Sequence, residues 1–468
     1  MRVIGGERGF AARLENIRSA GGALESLGGT VGDLVQATPP PPGMSSLLDS
    51  PVTWAKVEYA CTAFFMRTRG LSDSIAKLGT QARLAAAGYE TADSAARAAQ
   101  QIGSWAAGWG LGVAVRVTAP LWAVPAVIAA LTAAGWIAAA DGLVTLITGN
   151  SPEFGKKAMA TARGIFEQAL ADNTGAFSRV LDSGLSGFAT GLFGLPPLPP
   201  ITEAMRAGPL TRSLATTGEA SGAFPTEPPE VRSHKATPGG SPGSLSGLYE
   251  REVAAHSGRD NGRVRVDAVR GPDGKKRYIV YVPATTDWSV KGGRNTTDTA
   301  TNVQTMAQRE SAMRHVVRTA IRESGIGPDD EIMLVGYSQG GIVAASLAAD
   351  PEFRKQANVR QVVTVGSPIG RFDVGNTKVL SIEQDRDVIP VLDGTDNPDK
   401  RSWTTIIADS PPVDSPLGAH SSDAYTEVIR DLEKSRQPDV VQFSKDNRDF
   451  LDGAVEESRE FEGVRKEK

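Results

Sequence analysis

Two hydrophobic rhythms divide the chain. Up to about residue 190, apolar residues recur approximately at three- and four-residue intervals, as in Leu71, Ile75, Leu78 and Ala82, with Leu84 two residues on. That is the period of a helix with one apolar face. From about residue 247 they gather instead in short runs of β-branched and aromatic residues bounded by turn residues, which is a strand signal. Arg277–Pro283 (RYIVYVP) follows the turn Gly271-Pro-Asp-Gly274, and Glu331–Val335, Val359–Val365, Lys378–Ile382 and Thr404–Ala408 repeat the pattern. Between these runs, Ala300–Glu323, Gly340–Ala349 and Asp423–Glu433 carry helical spacing. Strands alternating with helices predict a mostly parallel sheet with helices on both faces. The expected fold class is therefore α/β over residues 247–436, preceded by an all-α region.

The helical part subdivides. Residues 1–101 predict an antiparallel bundle, with the four prolines of Thr38–Gly43 breaking one helix from the next. Over 102–150 the only charges are Arg116 and Asp141, and Val117–Ala140 is a run of 24 residues without one. A bilayer span needs about 20. Pro120, Pro125 and the abundance of alanine weigh the other way, so two readings stand: a buried hairpin, or a membrane-associated segment. Trp105, Trp109, Trp122 and Trp136 suit either. Amphipathic helix resumes over 152–190, through Ala158, Ile165, Phe166 and Ala169. Residues 191–246 read as a linker, with Leu195-Pro-Pro-Leu-Pro-Pro200, Thr226-Glu-Pro-Pro229 and Pro238-Gly-Gly-Ser-Pro-Gly243. Residues 437–468 mix both charge signs and read as a solvated, partly helical tail.

Composition narrows the chemistry. At 468 residues the chain exceeds one ordinary core, and 40% hydrophobic with 22% charged residues fits globular units. A net charge of −4 argues against a global nucleic-acid footprint. Cys61 is the single cysteine, so no internal disulfide or multi-cysteine metal site can form. No G-x-x-x-x-G-K-[ST], H-E-x-x-H or C-x-x-C is present. The sequon Asn295-Thr-Thr297 is short and carries little weight. Met1–Thr30 holds several charges and no continuous apolar run, so a general secretory signal is not expected.

The sharpest local feature is Gly336-Tyr-Ser-Gln-Gly340, a G-x-S-x-G lying directly after a predicted buried strand and before a small-residue helix. Glycines are needed where a strand turns sharply into a helix and a side chain would strike its neighbours. Such a turn presents Ser338 at the carboxyl end of the sheet as a candidate nucleophile. A serine hydroxyl needs a base, and His420 is the only histidine after Ser338. The third member should be an acid beyond a later strand. Asp387, which opens Asp-Val-Ile-Pro390, is favoured, with Asp385 as the alternative. Other acids of that stretch, such as Glu383, are expected to be solvated or ion-paired. An oxyanion hole needs two donors. Gln339 supplies a backbone N–H, and Thr285, in the loop after Arg277–Pro283, is the candidate for the other.

Residues 277–430 resemble a minimal serine-hydrolase domain of the α/β-hydrolase superfamily, nearest the fungal-type (class 3) lipases and related actinobacterial esterases. Val282-Pro-Ala-Thr285 is similar to the lipase oxyanion loop, although Ala284 stands where a glycine normally precedes the Ser or Thr. Asp387-Val-Ile-Pro390 and His420-Ser-Ser422 resemble the acid and histidine motifs. Gly-Tyr-Ser-Gln-Gly also resembles cutinases, but those carry disulfides that this chain cannot form. The resemblance implies ester or lipid hydrolysis through an acyl-enzyme, with neither metal nor cofactor. An acyltransferase or thioesterase using the same groups is the alternative. A weaker resemblance lies at Leu84–Ala98, where Tyr89-x-x-x-Asp93 is similar to the export signal ending WXG-type helical hairpins of type VII secretion substrates. The Trp-x-Gly turn is missing, with Trp54-Ala-Lys56 the nearest match. That resemblance implies a secreted or cell-envelope protein whose helical region meets a helical partner or export machinery; a cytoplasmic location is the alternative, and a partner-binding protein with a vestigial hydrolase is the competing function.

Overall fold

The computed structural model describes residues 1–6, 9–37, 51–118, 207–289, 292–387, 389–393, 395–412 and 416–466. The chain forms two compact units: Glu7–Ala99, and Met1–Gly6 together with Gln100–Lys468.

In the first unit, α1 (Phe10–Ala37) lies antiparallel to the early part of α2 (Pro51–Thr118). Small residues let the backbones approach: a Cβ on Gly28 would sit 3.0 Å from Ala76, and one on Gly79 would sit 2.4 Å from the Gly21 carbonyl. Ser72 Oγ donates to the Gly28 carbonyl at 2.7 Å, and Arg83 pairs with Glu25 at 2.7 Å. Where a bundle was expected, the described residues form an antiparallel pair, and its apolar rhythm does not mark a buried face, since Leu71 and Leu78 are 55% and 56% exposed. Nor does the helix end near Tyr89 and Asp93, because α2 continues to Thr118. Among the described residues no helix is long and apolar enough to cross a membrane. Beyond Thr118, the Val117–Ala140 run lies outside the described residues, as does 152–190.

The second unit is built on a nine-stranded sheet of order β1-β8-β7-β6-β5-β4-β3-β9-β2. The strands are β1 (Arg2–Gly5), β2 (Glu230–Ala236), β3 (Arg263–Arg270), β4 (Lys276–Val282), β5 (Glu331–Tyr337), β6 (Asn358–Val365), β7 (Lys378–Gln384), β8 (Trp403–Ala408) and β9 (Ala454–Val464). β4 to β8 are parallel and adjacent in chain order, whereas β1, β2, β3 and β9 pair antiparallel. The central strands are buried on both faces, so they read as unbroken apolar runs. β3 and β4 are joined by the predicted turn, with Gly274 at φ 77°.

Helices cover both faces. They are α3 (Ala207–Ala220), α4 (Leu245–Ala254), α5 (Thr299–Met306), α6 (Ala312–Glu323), α7 (Gln339–Ala349), α8 (Pro351–Gln356), α9 (Pro416–Ala419), α10 (Ser422–Lys434), α11 (Pro438–Asp446) and α12 (Arg448–Leu451). On one face Met313, Val316, Ile342 and Leu347 pack on Val280, Leu334 and Val362. On the other, Leu248, Tyr249, Tyr425 and Ile429 pack on Ile279, Met333 and Val363. The expected helix Ala300–Glu323 is two, α5 and α6, because Gln308 adopts φ 57° between them.

Three segments differ from their sequence reading. Residues 2–5, placed in the helical bundle, form the edge strand β1 against β8. The linker 191–246 contains α3 and the opposite edge strand β2. The tail 437–468 contains β9, which lies between β3 and β2 with Phe461 wholly buried. Charge hid this strand. Its glutamates meet arginines on the neighbouring strand or loop, Glu460 with Arg259 and Arg263 and Glu456 with Arg270, so the mixed-sign composition is cross-strand pairing.

Candidate active site

Ser338 stands between β5 and α7 with φ 52° and ψ −118°. A non-glycine residue there carries backbone strain of about 1–3 kcal/mol, which the surrounding structure must hold. Its N–H donates to the Val365 carbonyl at 2.9 Å. The glycines around it are required by contact. A Cβ on Gly336 would lie 2.2 Å from the Gly340 carbonyl carbon, and one on Gly340 would lie 2.0 Å from the Val282 carbonyl oxygen. Gly341 is equally confined, 2.1 Å from Ser367 Oγ. The close approach at Gly340 sets the end of β4, and so the loop carrying Thr285, against the turn.

His420 follows α9 and reaches the turn from the other side. Its Nε2 lies 2.9 Å from Ser338 Oγ and its Nδ1 lies 2.7 Å from Asp387 Oδ2. The Asp387 side chain is fully buried, and its oxygens are satisfied: Oδ1 accepts the Ile389 N–H at 2.9 Å, and Oδ2 also accepts the Tyr425 hydroxyl at 2.6 Å. An ionised carboxylate only accepts, so the network assigns the imidazole hydrogen to Nδ1. That leaves the Nε2 lone pair facing the serine hydroxyl. Asp385 points elsewhere: its Oδ1 accepts from the N–H and hydroxyl of Ser410 at 2.9 and 2.8 Å. The structure thus brings Ser338, His420 and Asp387 together and leaves Asp385 outside.

Tyrosines close the site from beneath. The Tyr337 ring lies 5.1 Å from the His420 ring, with its hydroxyl donating to the His420 carbonyl. Tyr425 meets the imidazole edge-on at 6.3 Å. On the far side of Tyr337, 5.9 Å away, lies His256, whose Nδ1 is 3.4 Å from Glu252 Oε1. Burial pushes the Glu252 carboxyl above its ordinary range. Burial also pulls His256 down, but the Glu252 carboxylate more than reverses that.

Thr285 and Gln339 are linked by Asn302, a residue the sequence offered no reason to select. Asn302 Nδ2 donates to Thr285 Oγ1 at 3.1 Å, and its Oδ1 accepts from Gln339 Nε2 at 2.8 Å. Gln339 opens α7, so its backbone N–H has no partner within the helix. The Thr285 N–H makes no hydrogen bond to a described residue. Neither N–H is taken up by another described backbone group. Ala284, where the resemblance led us to expect glycine, is buried, with its N–H directed at His256 Nδ1 at 3.5 Å.

Glu383 corrects an expectation. It is neither solvated nor ion-paired but buried, accepting from Ser381 Oγ at 3.2 Å and from Asn397 Nδ2, and desolvation pushes its carboxyl up to about 8. Among the described residues no cluster of His, Cys, Asp and Glu could hold a metal ion.

Residues 292–382 match the family model of the PGAP1-like alpha/beta domain. The matched stretch contains α5, β5, Ser338, α7 and β6 and ends before Asp387 and His420. No curated protein and no solved structure matches the chain. The parallel strands β4 to β8, the strand–serine turn–helix unit and the family match together make the sheet unit an α/β-hydrolase-type domain, and support a hydrolase-type activity.

Proposed function

We propose that this protein is a serine carboxylic-ester hydrolase acting through Ser338, His420 and Asp387. The observation that carries the reading is the unbroken hydrogen-bonded line from Ser338 Oγ through both nitrogens of His420 to Asp387. In the first step His420 Nε2 takes the hydroxyl proton as Ser338 Oγ bonds to the ester carbonyl carbon. Asp387 stabilises the imidazolium that forms. The carbonyl oxygen, now negative, meets the N–H groups of Thr285 and Gln339, with the N-terminus of α7 aimed at the same place. Collapse breaks the ester C–O bond, and the imidazolium returns its proton to the departing alcohol. Water then gives a proton to His420 and attacks the acyl-serine, releasing the acid and restoring the hydroxyl.

The test is labelling by a fluorophosphonate, together with hydrolysis of p-nitrophenyl esters of increasing chain length. The wild-type chain should label and turn over, and Ser338→Ala should do neither while melting at or above the wild-type temperature. Undiminished labelling of Ser338→Ala would place the nucleophile elsewhere.

A further inference from the structure

The end of the chain reaches the site. β9 carries the backbone to Val464, and the Arg465 that follows buries its guanidinium, with 4% of the side chain exposed. Its Nη1 lies 2.6 Å from Asp298 Oδ2 and its Nη2 lies 3.2 Å from Asp298 Oδ1, so fork meets fork. Nη2 also donates to Thr301 Oγ1 at 3.2 Å, and Nη1 to the carbonyls of Asn295 and Gly293. Asp298 is itself wholly buried and is the N-cap of α5, accepting the Thr301 N–H at 2.9 Å.

What Asp298 holds is the neighbourhood of the two candidate oxyanion donors. Its carbonyl accepts Gln339 Nε2 at 2.8 Å. The carbonyl of the preceding residue, Thr297, accepts the N–H groups of Thr286 and Asp287 at 3.0 and 3.1 Å, which ties down the loop just beyond Thr285. One turn into α5, Asn302 bridges Thr285 and Gln339.

We propose that Arg465 is a positioning residue for the oxyanion hole: through Asp298 it holds α5, and with it the Thr285 loop and the Gln339 side chain, at the spacing the two N–H donors need. This rests on the hydrolase reading above. It makes the last strand of the chain part of the working site rather than an appendage. Lysine cannot replace the arginine, because a single ammonium cannot meet both oxygens of Asp298 and the flanking carbonyls at once. Removing either partner strands the other charge in the protein interior.

The test uses full-length chains carrying Arg465→Lys, with Arg277→Lys as a stability control. Arg277 is a second buried arginine fork, bonded to Asp273 and Glu331 at the amino-terminal ends of β4 and β5, away from Ser338. Both variants should melt below the wild type. On a soluble short-chain ester, Arg465→Lys should lose about 10-fold or more in kcat with KM little changed, the signature of an interaction realised in the transition state. Arg277→Lys should keep its kcat. If Arg465→Lys does not fold, Asp298→Asn, which retains a capping side chain, carries the same expectation. A lowered melting temperature with unchanged kcat would overturn the proposal and leave the hydrolase reading intact. An inert wild type, or labelling that survives Ser338→Ala, would overturn both.

Discussion

Tyr425 and His420 share one oxygen of Asp387: the Tyr425 hydroxyl donates to Oδ2 at 2.6 Å and His420 Nδ1 lies 2.7 Å from the same atom. With the Ile389 N–H holding Oδ1 at 2.9 Å, the two donors on Oδ2 fix the carboxylate plane, and the carboxylate in turn fixes the imidazole. Tyr425→Phe removes one donor while keeping the ring that packs beside Gly366. Loss of a hydrogen bond to a charged group lowers stability by about 2 kcal/mol. Turnover should fall, but by less than in Asp387→Asn. Chemical denaturation alongside ester kinetics checks both expectations.

Asp387→Asn should lower kcat by about 10⁴-fold, because the amide offers a donor where His420 needs an acceptor and so favours the wrong tautomer. Asp385→Asn should leave kcat within a few-fold of the wild type, since its partners are the backbone and hydroxyl of Ser410. Steady-state kinetics on one soluble ester separates the two; a larger effect at Asp385 would reassign the acid.

Burial raises two carboxyls near the sheet edge, Glu383 to about 8 and Asp393 to about 7. Raised folded-state values mean that the folded molecule holds these protons more tightly than the unfolded chain does. Their contribution is complete below the ordinary carboxyl range and is lost as pH rises through about 7 to 8. The melting temperature should therefore fall from mildly acidic to mildly alkaline pH. Glu383→Gln mimics the protonated acid and keeps an acceptor for Ser381 and Asn397, so it should flatten that fall. Melting curves across this range decide it, and an unchanged slope in the variant would remove Glu383 as a cause.

Gly340→Ala should destabilise strongly and depress turnover, because the new methyl would lie 2.0 Å from the Val282 carbonyl oxygen, a backbone atom with little room to move. Gly240→Ala adds a methyl to open space and should change stability by less than about 0.5 kcal/mol. Melting temperature and activity of the pair test whether the close approach, rather than glycine content, sustains the turn.

A chain truncated after Arg436 should not give a soluble folded domain. It would lose β9, which fills the place between β3 and β2, together with the buried Phe450, Leu451 and Phe461. The remaining β3 would present an unpaired edge. Ending the chain after Lys466 should restore solubility, and gel filtration of the two truncations provides the readout.

The residues most legible in the sequence are those whose signal is local. β5, the Ser338 turn and α7 are consecutive, so strand, turn and helix could be read in one short stretch, although the contacts that demand glycine at 340 and 341 are made with Val282 and Ser367. His420 followed from scarcity, and Asp387 from a loop carrying a proline. What tertiary structure alone decided involves partners far apart in the chain. The loop turns Asp387 toward His420 and Asp385 toward Ser410. Asn302 bridges Thr285 and Gln339 only because folding sets α5 between them. β9 looks like a solvated tail because the arginines that neutralise Glu456 and Glu460 lie 186 and 201 residues upstream. A charge has no fixed meaning in a sequence: whether it faces water, pairs across a sheet or, like Arg465, anchors a buried helix terminus depends on what the fold brings within about 3 Å of it.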